Sequence, residues 1–371
     1  MNVTVEREAF VRILARAQGV VDKRHALAML TNVLIESEDG GLSMTATDLE
    51  VSLRQRLNAK VTKPGRAAAS ARTLFEIVRE SPTEEITLKT LDNQWLEVVY
   101  GKSRFKLMGV DPEEHPGMPQ STGNGTKAGS LEIGSGDLAE MVRKTVFAVS
   151  ADDSRSNLSG VFLTKGAKKG VLRMVATDGH RLALIDRPAA GAGLPDGSIL
   201  PRKGLSELGK LLGESADKIK LTVAGSECVA QLGDSTISMR LVEGKFPEYQ
   251  KVIPDEPTRI ARMERDALLQ TLRRVSIMSS ERARSVRLAL DKNRLEISAS
   301  NPEMGEASEE LPVEYQGDKL EVGFNAKYLI DVMTVLPEGS EVEIGLTDEL
   351  SPGIVRGGDS GYTYVVMPLR I

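Results

Sequence analysis

The fold is decided by a seven-residue pattern that occurs three times, as Leu42-Ser-Met-Thr-Ala-Thr-Asp48, Leu172-Arg-Met-Val-Ala-Thr-Asp178 and Leu295-Glu-Ile-Ser-Ala-Ser-Asn301. Apolar side chains recur at alternate positions in each copy, which predicts a half-buried β-strand. Leu172 follows Leu42 by 130 residues, and Leu295 follows Leu172 by 123. A pattern repeated at this spacing predicts three copies of one domain.

Two amphipathic helices accompany each strand. Apolar residues recur at three- and four-residue steps in segments 5–21, 136–150 and 265–279, which predicts a helix with one buried face in each. A second helix is predicted in segments 69–81, 200–212 and 324–336. Because helices and strands repeat at nearly the same spacing, we predict the α+β class, with two helices packed on antiparallel sheet in every domain.

The domain limits are predicted where this pattern lapses, giving domains 1–122, 129–249 and 250–371. Segment 116–130 is rich in Gly, Ser and Pro and has no hydrophobic period, as is typical of a linker. Segment 246–258 holds three prolines but also apolar residues such as Phe246 and Tyr249, so we expect it to pack.

Composition narrows the class of protein. The 371 residues carry 48 Lys and Arg against 53 Asp and Glu, a net charge of −5, which is too balanced for a small basic nucleic-acid module. With 40% hydrophobic and 27% charged residues the chain is predicted to be soluble and globular. No apolar run approaches the roughly 18 residues of a membrane span, and acids replace the basic start of a signal peptide. A cytoplasmic location is expected.

Few sequence motifs for a disulfide, a metal site, a nucleotide site or a catalytic triad are present. Cys228 is the only cysteine, and His25, His115 and His180 are far apart in sequence, so neither a disulfide nor a Cys-based zinc site is predicted. No phosphate-binding G-x-x-x-x-G-K-[ST] pattern occurs, and no cofactor is predicted. Asp178 and His180 could be two members of a catalytic triad, but no nucleophile motif accompanies them, and a hairpin turning at Asp178-Gly179 is the preferred interpretation.

Positive charge is concentrated on the predicted helices. From Arg262 to Arg287, seven arginines occur with only three acids. Two interpretations stay open: ordinary solvated helix faces, or a helix-lined surface that meets polyphosphate without reading bases. In a ring of six repeats, twelve helices about 10 Å apart would enclose a hole of about 28 Å, wide enough for a DNA duplex. Three repeats make half of such a ring, so two chains would close it head to tail.

The motifs taken in order resemble one known family. TATDLE (45–50), VATDGHRLA (175–183), LPRKGLSEL (200–208), EGKFPEY (243–249), Asn301-Pro-Glu303, GFNAKYLIDV (323–332) and YVVMPLRI (364–371) are together similar to the bacterial DNA polymerase III beta subunits, the sliding clamps. The resemblance implies three DNA-clamp domains per chain and a homodimeric ring that encircles duplex DNA without sequence preference. It also implies a non-enzymatic processivity factor that tethers the replicative polymerase and needs an ATP-driven loader.

The resemblance further implies a peptide-binding groove between the second and third domains, which receives short segments of partner proteins. The residues implied are Leu158, Thr177, Gly179, His180, Arg181, Leu182, Pro247, Val252, Asn325, Tyr328, Val365, Val366, Met367, Pro368, Leu369, Arg370 and Ile371. The last of these form an apolar stretch where chain ends are usually polar, which suits a peptide groove with an adaptable Met.

Ring and DNA contacts are proposed in the same way. For the dimer interface the resemblance indicates Lys102, Arg104, Phe105 and Leu107 on one side and Ile277, Met278, Glu303, Glu306 and Glu309 on the other, opposite charges around a small apolar centre. For DNA it indicates Lys23, Arg24, Arg72, Arg202, Lys203, Arg282 and Arg284.

Two other functions are alternatives to the sliding clamp: a ring-less repeat scaffold that binds proteins only, and a hydrolase built around His180.

Overall fold

A computed structural model of the chain describes residues 1–21, 27–38, 40–119, 128–152, 154–194, 197–213, 218–280, 284–358 and 361–370. Within these residues the α-helices are α1 (Arg7–Val20), α2 (Ala71–Arg79), α3 (Ser135–Thr145), α4 (Arg202–Leu212), α5 (Arg265–Val275) and α6 (Ala326–Val335). The six helices are the six that the sequence periodicity predicts.

The strands are short and follow one another closely along the chain. They are β1 (Asn2–Glu6), β2 (Asn32–Glu38), β3 (Gly41–Thr47), β4 (Val51–Lys63), β5 (Arg66–Ser70), β6 (Glu85–Thr90), β7 (Leu96–Tyr100), β8 (Ser103–Leu107), β9 (Gly109–Val110), β10 (Gly129–Gly134), β11 (Gly160–Lys165), β12 (Val171–Thr177), β13 (Arg181–Pro188), β14 (Ala190–Gly193), β15 (Ser198–Pro201), β16 (Lys218–Ala224), β17 (Glu227–Leu232), β18 (Ser235–Arg240), β19 (Arg259–Glu264), β20 (Ser285–Asp291), β21 (Arg294–Asn301), β22 (Gly305–Pro312), β23 (Leu320–Asn325), β24 (Glu341–Leu346), β25 (Gly353–Gly357) and β26 (Tyr362–Val366). The three copies of the alternating pattern are β3, β12 and β21.

The chain divides into two compact units. The first unit comprises residues 1–139, 189–195 and 203–241. In its described part, fourteen strands form one sheet whose main path is β14-β10-β16-β17-β18-β4-β1-β6-β7-β8, with β3, β2, β5 and β9 branching from β4. The pairing is antiparallel throughout, and β18 meets β4 with Met239 opposite Val51.

The second unit comprises residues 140–188, 196–202 and 242–371. One antiparallel sheet has the order β15-β11-β12-β13-β26-β25-β24-β19, and a second has the order β22-β21-β20-β23. Strand β13 meets β26 with Arg181 opposite Val366. Two sheet strands far apart in sequence, β13 and β26, therefore lie side by side.

Each helix buries the face that its periodicity predicts. In the first unit, Phe10, Leu14 and Ala17 of α1 are buried, and α1 packs against α2 and against β3 and β4. In the second unit, Leu268 and Leu272 of α5 are buried, and α5 packs against α6 and against β21 and β22. Helices on one side of antiparallel strands are the α+β arrangement expected from the sequence.

The predicted helix ends need correction. Residues 5 and 6 belong to β1, which pairs with both β4 and β6, so the first helix begins only at Arg7. The second and third copies of this helix end at Thr145 and Val275 and are followed by single 3₁₀ turns, Val146–Ala148 and Ser276–Met278. Apolar residues continue into both turns, which made the helices look longer, but only Ala148 is buried there and Ile277 is 67% exposed.

Candidate functional site

A largely apolar groove of about 210 Å³ lies within the second unit. Its lining combines the hairpin between β12 and β13, the segment after residue 246 and the end of β26. The lining residues are Leu158, Thr177, Gly179, Arg181, Leu182, Pro247, Glu248, Tyr249, Val252, Val365 and Met367. Apolar carbon dominates this surface, so the groove suits apolar side chains of a ligand.

The hairpin holds its shape through its own side chains. Asp178 accepts hydrogen bonds at Oδ1 from the backbone N–H groups of His180 and Arg181, at 2.9 and 3.1 Å. Gly179 has φ +89°, the left-handed region that glycine enters without strain. The hairpin predicted at Asp178-Gly179 is present, and the hydrogen bonds found for the Asp178 carboxylate run to backbone N–H groups of the turn and to the Arg181 guanidinium.

The end of the chain lies along this hairpin. The backbone N–H of Met367 donates to the carbonyl oxygen of His180 at 2.9 Å, which extends the pairing of β26 with β13. Two residues later, the N–H of Leu369 donates to the carbonyl oxygen of Gly323 at 2.8 Å. The segment thus crosses from one sheet of the second unit to the other, and both bonds fix the position of Met367.

Aromatic side chains pack against the apolar residues of the groove. Phe246 and Tyr249 are buried in a cluster with Leu158, Leu182 and Val365. The ring of Phe246 stacks on Phe162 with centroids 4.8 Å apart. The segment after residue 246 packs, as the sequence predicts.

Arg181 is the one charged side chain of the lining that is almost fully buried, with 6% exposure. Its guanidinium donates to Asp178 Oδ2 at 3.0 Å, to Asp331 Oδ2 at 2.6 Å and to the carbonyl oxygen of Phe147 at 2.6 Å. The Tyr328 ring lies 4.6 Å from its central carbon. A buried guanidinium with carboxylate, carbonyl and aromatic partners is satisfied in place, so it holds the hairpin against α6.

The remaining residues predicted for the groove lie beside it and not in its lining. His180 is exposed and its ring stacks on Tyr328 at 6.4 Å, while Asn325 caps α6 by accepting from the backbone N–H of Lys327. The others outside the lining are Val366, Pro368, Leu369 and Arg370, and Ile371 lies outside the described residues. Glu248 and Tyr249 line the groove although neither was assigned to it from the sequence, and their neighbours Pro247 and Val252 were the available signal.

Burial affects the tyrosine that anchors β26. The hydroxyl of Tyr364 donates to the carbonyl oxygen of Tyr328 at 2.9 Å, which ties β26 to α6. Burial raises the pKa of Tyr364, so this hydroxyl keeps its proton over the physiological range.

The two predicted sides of the dimer interface lie on separate units. In the first unit Lys102, Arg104 and Phe105 are exposed on or beside β8, whereas Leu107 is buried at 7%. In the second unit Ile277 is 67% exposed, Met278 is half-buried, and Glu303 in the turn before β22 and Glu306 at its start are both exposed. Glu309 already accepts a hydrogen bond from Arg274 at 2.9 Å, which lowers its pKa.

The residues predicted for DNA differ in their engagement. Lys23, Arg24 and Arg282 lie outside the described residues, and Arg72, Arg202 and Arg284 are exposed. Arg72 pairs with Glu76 at 2.9 Å. Lys203 donates to the carbonyl oxygen of Val20 at 2.8 Å and to the carboxylate of Asp48.

Three family models match the chain in order along its length. They are the DNA polymerase III beta subunit N-terminal domain over residues 1–119, the central domain over 132–248 and the C-terminal domain over 250–370. The chain belongs to the DNA polymerase III beta subunit family, the beta sliding clamps.

Individual sliding clamps resemble the chain over its full length. Those of Caulobacter vibrioides and Escherichia coli are 35% and 34% identical to it, each over 100% of both chains. Solved sliding clamps from Bartonella birtlesii and Pseudomonas aeruginosa match with TM-scores of 0.93 and 0.89 at 32% and 36% identity, again over 100% of both chains. The α+β fold of three clamp domains is therefore confirmed.

Membership of the sliding-clamp family defines the class of activity. The clamp is a non-catalytic processivity factor of DNA polymerase III that acts in DNA replication. The comparisons do not support the ring-less scaffold or the hydrolase. In the part of the chain that the structure describes, no helix combines the length and apolar composition needed to span a membrane.

Proposed function

We propose that this clamp closes head to tail with a second copy into a ring around duplex DNA, and that the groove of the second unit binds short peptides of its partners. The partners are the replicative polymerase, the ATP-driven loader and other proteins that carry such peptides. The observation that carries the proposal is the apolar groove that Met367 and the β12–β13 hairpin form together. We also propose the domain limits 1–122, 129–249 and 250–371 for this clamp. Because it acts on DNA, we place it in the cytoplasm.

The shape and chemistry of the groove favour an extended peptide with apolar side chains. Leu158, Leu182 and Val365 form a buried apolar floor, and Val252 at the rim is 38% exposed. Met367 is half-buried and has three rotatable side-chain bonds, so it can adjust to different ligand side chains. A groove of this kind accepts many related sequences, which a hub for replication proteins requires.

Unpaired strand edges support the ring. In the described residues, β8 ends one sheet of the first unit and β22 begins the four-stranded sheet of the second unit. Basic Lys102 and Arg104 flank the first edge, and acidic Glu303 and Glu306 flank the second. Antiparallel pairing of β8 with β22 of another copy would satisfy both edges and bring opposite charges together.

The peptide proposal is tested by titrating a fluorescent peptide from the replicative polymerase into the clamp. Deletion of residues 367–371 is expected to abolish binding, because the deletion removes Met367 and the bond to His180. A Leu350→Ser variant, altered at another exposed apolar residue, controls for general loss of apolar surface. Unchanged affinity in the deletion variant would remove this segment from the site.

The ring proposal is tested by light scattering and by retention on DNA. The clamp is expected to have the mass of two chains and to remain on closed-circular DNA at salt that strips electrostatic binders. Ile277→Asp should shift the mass towards one chain, whereas Leu350→Asp should not, although both side chains are similarly exposed. Equal release from linear and closed-circular DNA would contradict encirclement.

A further inference from the structure

The first unit contains a second hairpin built like the one in the groove. Thr47 Oγ1 accepts from the N–H of Leu49 at 3.0 Å, as Thr177 Oγ1 does from Gly179 at 3.1 Å. Asp48 Oδ1 accepts from the N–H groups of Glu50 and Val51 at 2.9 and 2.7 Å. The same donors and acceptors therefore shape both turns.

A strand from the following repeat pairs with this hairpin in the same way. The N–H of Arg240 donates to the carbonyl oxygen of Glu50 at 2.8 Å, where Met367 donates to His180 at 2.9 Å in the second unit. The registers correspond too, because Met239 lies opposite Val51 and Val366 lies opposite Arg181. The groove and the hairpin of the first unit are thus two copies of one construction.

This second construction also encloses a cavity, of about 310 Å³. Its lining residues are Thr47, Leu49, Glu50, Ser52, Pro116, Gly117, Pro119, Ser226, Glu227, Ser238 and Arg240. The prolines come from the segment that follows the first repeat, as Pro247 and Tyr249 follow the second. We call this cavity the repeat pocket.

The repeat pocket differs from the groove in chemistry. At the register positions of Leu182, Val365 and Met367 it carries Ser52, Ser238 and Arg240. Two carboxylates, Glu50 and Glu227, line the pocket together with the guanidinium of Arg240, which lies opposite Glu227 in the β17–β18 register, and within the described ranges neither carboxylate forms a salt bridge. The pocket therefore favours a ligand that is polar and positively charged.

One apolar side chain is placed in the repeat pocket at a conformational cost. Leu49 has φ +77°, at the turn position where the groove has Gly179, and its side chain is 52% exposed. A left-handed leucine is strained because its Cβ approaches the following carbonyl oxygen, and with about half of the residue exposed, burial offsets that strain only in part. Strain of this kind is retained where the side chain serves a contact outside the folded chain.

We propose that the repeat pocket is a second peptide site, which binds an extended segment carrying an apolar residue and a Lys or Arg two positions away. Side chains two apart lie on one face of an extended peptide, so one can contact Leu49 while the other reaches Glu50 and Glu227. The choice of a peptide as ligand rests on the proposed function of the groove. The different linings keep the two sites selective for different peptides.

The probe is a labelled peptide, acetyl-Ser-Leu-Ser-Lys-Ser-amide, titrated into the full-length clamp by fluorescence anisotropy. It is expected to bind, and its charge-reversed form with Glu in place of Lys is expected not to bind. Glu50→Gln with Glu227→Gln should weaken binding about tenfold, and Leu49→Gly should weaken it without loss of stability, because glycine relieves the strained backbone.

A matched variant separates this site from the groove. Val252→Ser alters the groove at its exposed rim, and Val252 is absent from the repeat pocket, so the variant should leave binding of the basic peptide unchanged and weaken the polymerase peptide. If Val252→Ser removes binding of the basic peptide, or if the basic and acidic peptides bind alike, the repeat pocket is not a peptide site. Failure of the polymerase peptide to respond to the 367–371 deletion would instead count against the proposed function, and it would leave the basic-peptide result standing.

Discussion

Arg181 donates a hydrogen bond from Nη1 to Oδ2 of Asp331 at 2.6 Å, which joins the β12–β13 hairpin to helix α6. The same guanidinium reaches Asp178 and the carbonyl oxygen of Phe147. One buried cation therefore determines how three elements of the second unit meet beside the groove.

Replacing Arg181 with Ala is expected to lower the free energy of unfolding by about 3 kcal/mol, because two partly buried carboxylates lose their partner. The hairpin would also lose its hold on α6, so the affinity for the polymerase peptide should fall. Urea denaturation and peptide titration measure the two effects.

A surface ion pair provides the control for Arg181. Arg262 pairs with Glu343 at 3.1 Å and is 41% exposed, so Arg262→Ala should change the free energy of unfolding by about 1 kcal/mol or less. If Arg181→Ala is no more destabilising than Arg262→Ala, the buried guanidinium does not hold the hairpin.

Local pattern was sufficient to predict the repeated elements. The alternation at Leu42, Leu172 and Leu295 predicts β3, β12 and β21, and helical periodicity predicts all six helices. The start of the first helix was wrong, because Val5 and Glu6 fit a helical period but pair with β4 and β6. Strand pairing across long stretches of chain overrides such a local preference.

Pairing between distant segments could not be read from spacing. Nothing in residues 51–55 indicates that they pair with residues 235–239, yet this pairing builds the repeat pocket. The groove residues were assigned to one site only because the chain resembles the sliding clamps. In the structure, Arg181, Leu182 and Met367 line the same groove. Glu248 and Tyr249 were not assigned to the groove because a short irregular segment has no period to show which side chains line a surface.

Glu140 gives the clamp a predictable response to acid. Its carboxylate accepts from Lys144 at 2.6 Å and from Arg187 at 2.6 Å, and Lys144 is fully buried. Burial alone would raise the pKa of Glu140, but the hydrogen bonds from the two cations outweigh it and lower the pKa to about 2.

Because the pKa of Glu140 is lower in the folded clamp than its ordinary value of about 4.5, the ionised carboxylate stabilises the fold at pH values above 4.5. This stabilisation is lost as the pH falls towards 2. Glu140→Gln should therefore flatten the fall in the free energy of unfolding between these pH values. At neutral pH it should cost about 3 kcal/mol, because Lys144 stays buried without its carboxylate. Urea denaturation from pH 2 to 7 gives both results, and an unchanged pH slope in Glu140→Gln would exclude Glu140 as the group responsible.

Cys228 is expected to be inert in the folded clamp. It is 1% exposed on β17, and burial raises the pKa of its thiol to about 12, so almost no thiolate exists at pH 8. A chromogenic disulfide reagent should react with one thiol per chain in denaturant and with none in the native clamp. Rapid reaction under native conditions would show that β17 opens locally.

The neighbouring residues Arg202 and Lys203 should contribute unequally to DNA binding. Arg202 is exposed, whereas Lys203 is engaged by the Asp48 carboxylate and the Val20 carbonyl oxygen within the first unit. A cation already paired with a carboxylate releases few counterions when it meets a phosphate. Arg202→Ala is therefore expected to reduce the slope of log affinity against log salt by about 1, and Lys203→Ala by much less.

Binding of each variant to a short linear duplex at several salt concentrations measures the slopes. A loss for Lys203→Ala as large as that for Arg202→Ala would mean that DNA draws Lys203 away from Asp48, and no change in either slope would place this end of α4 off the DNA.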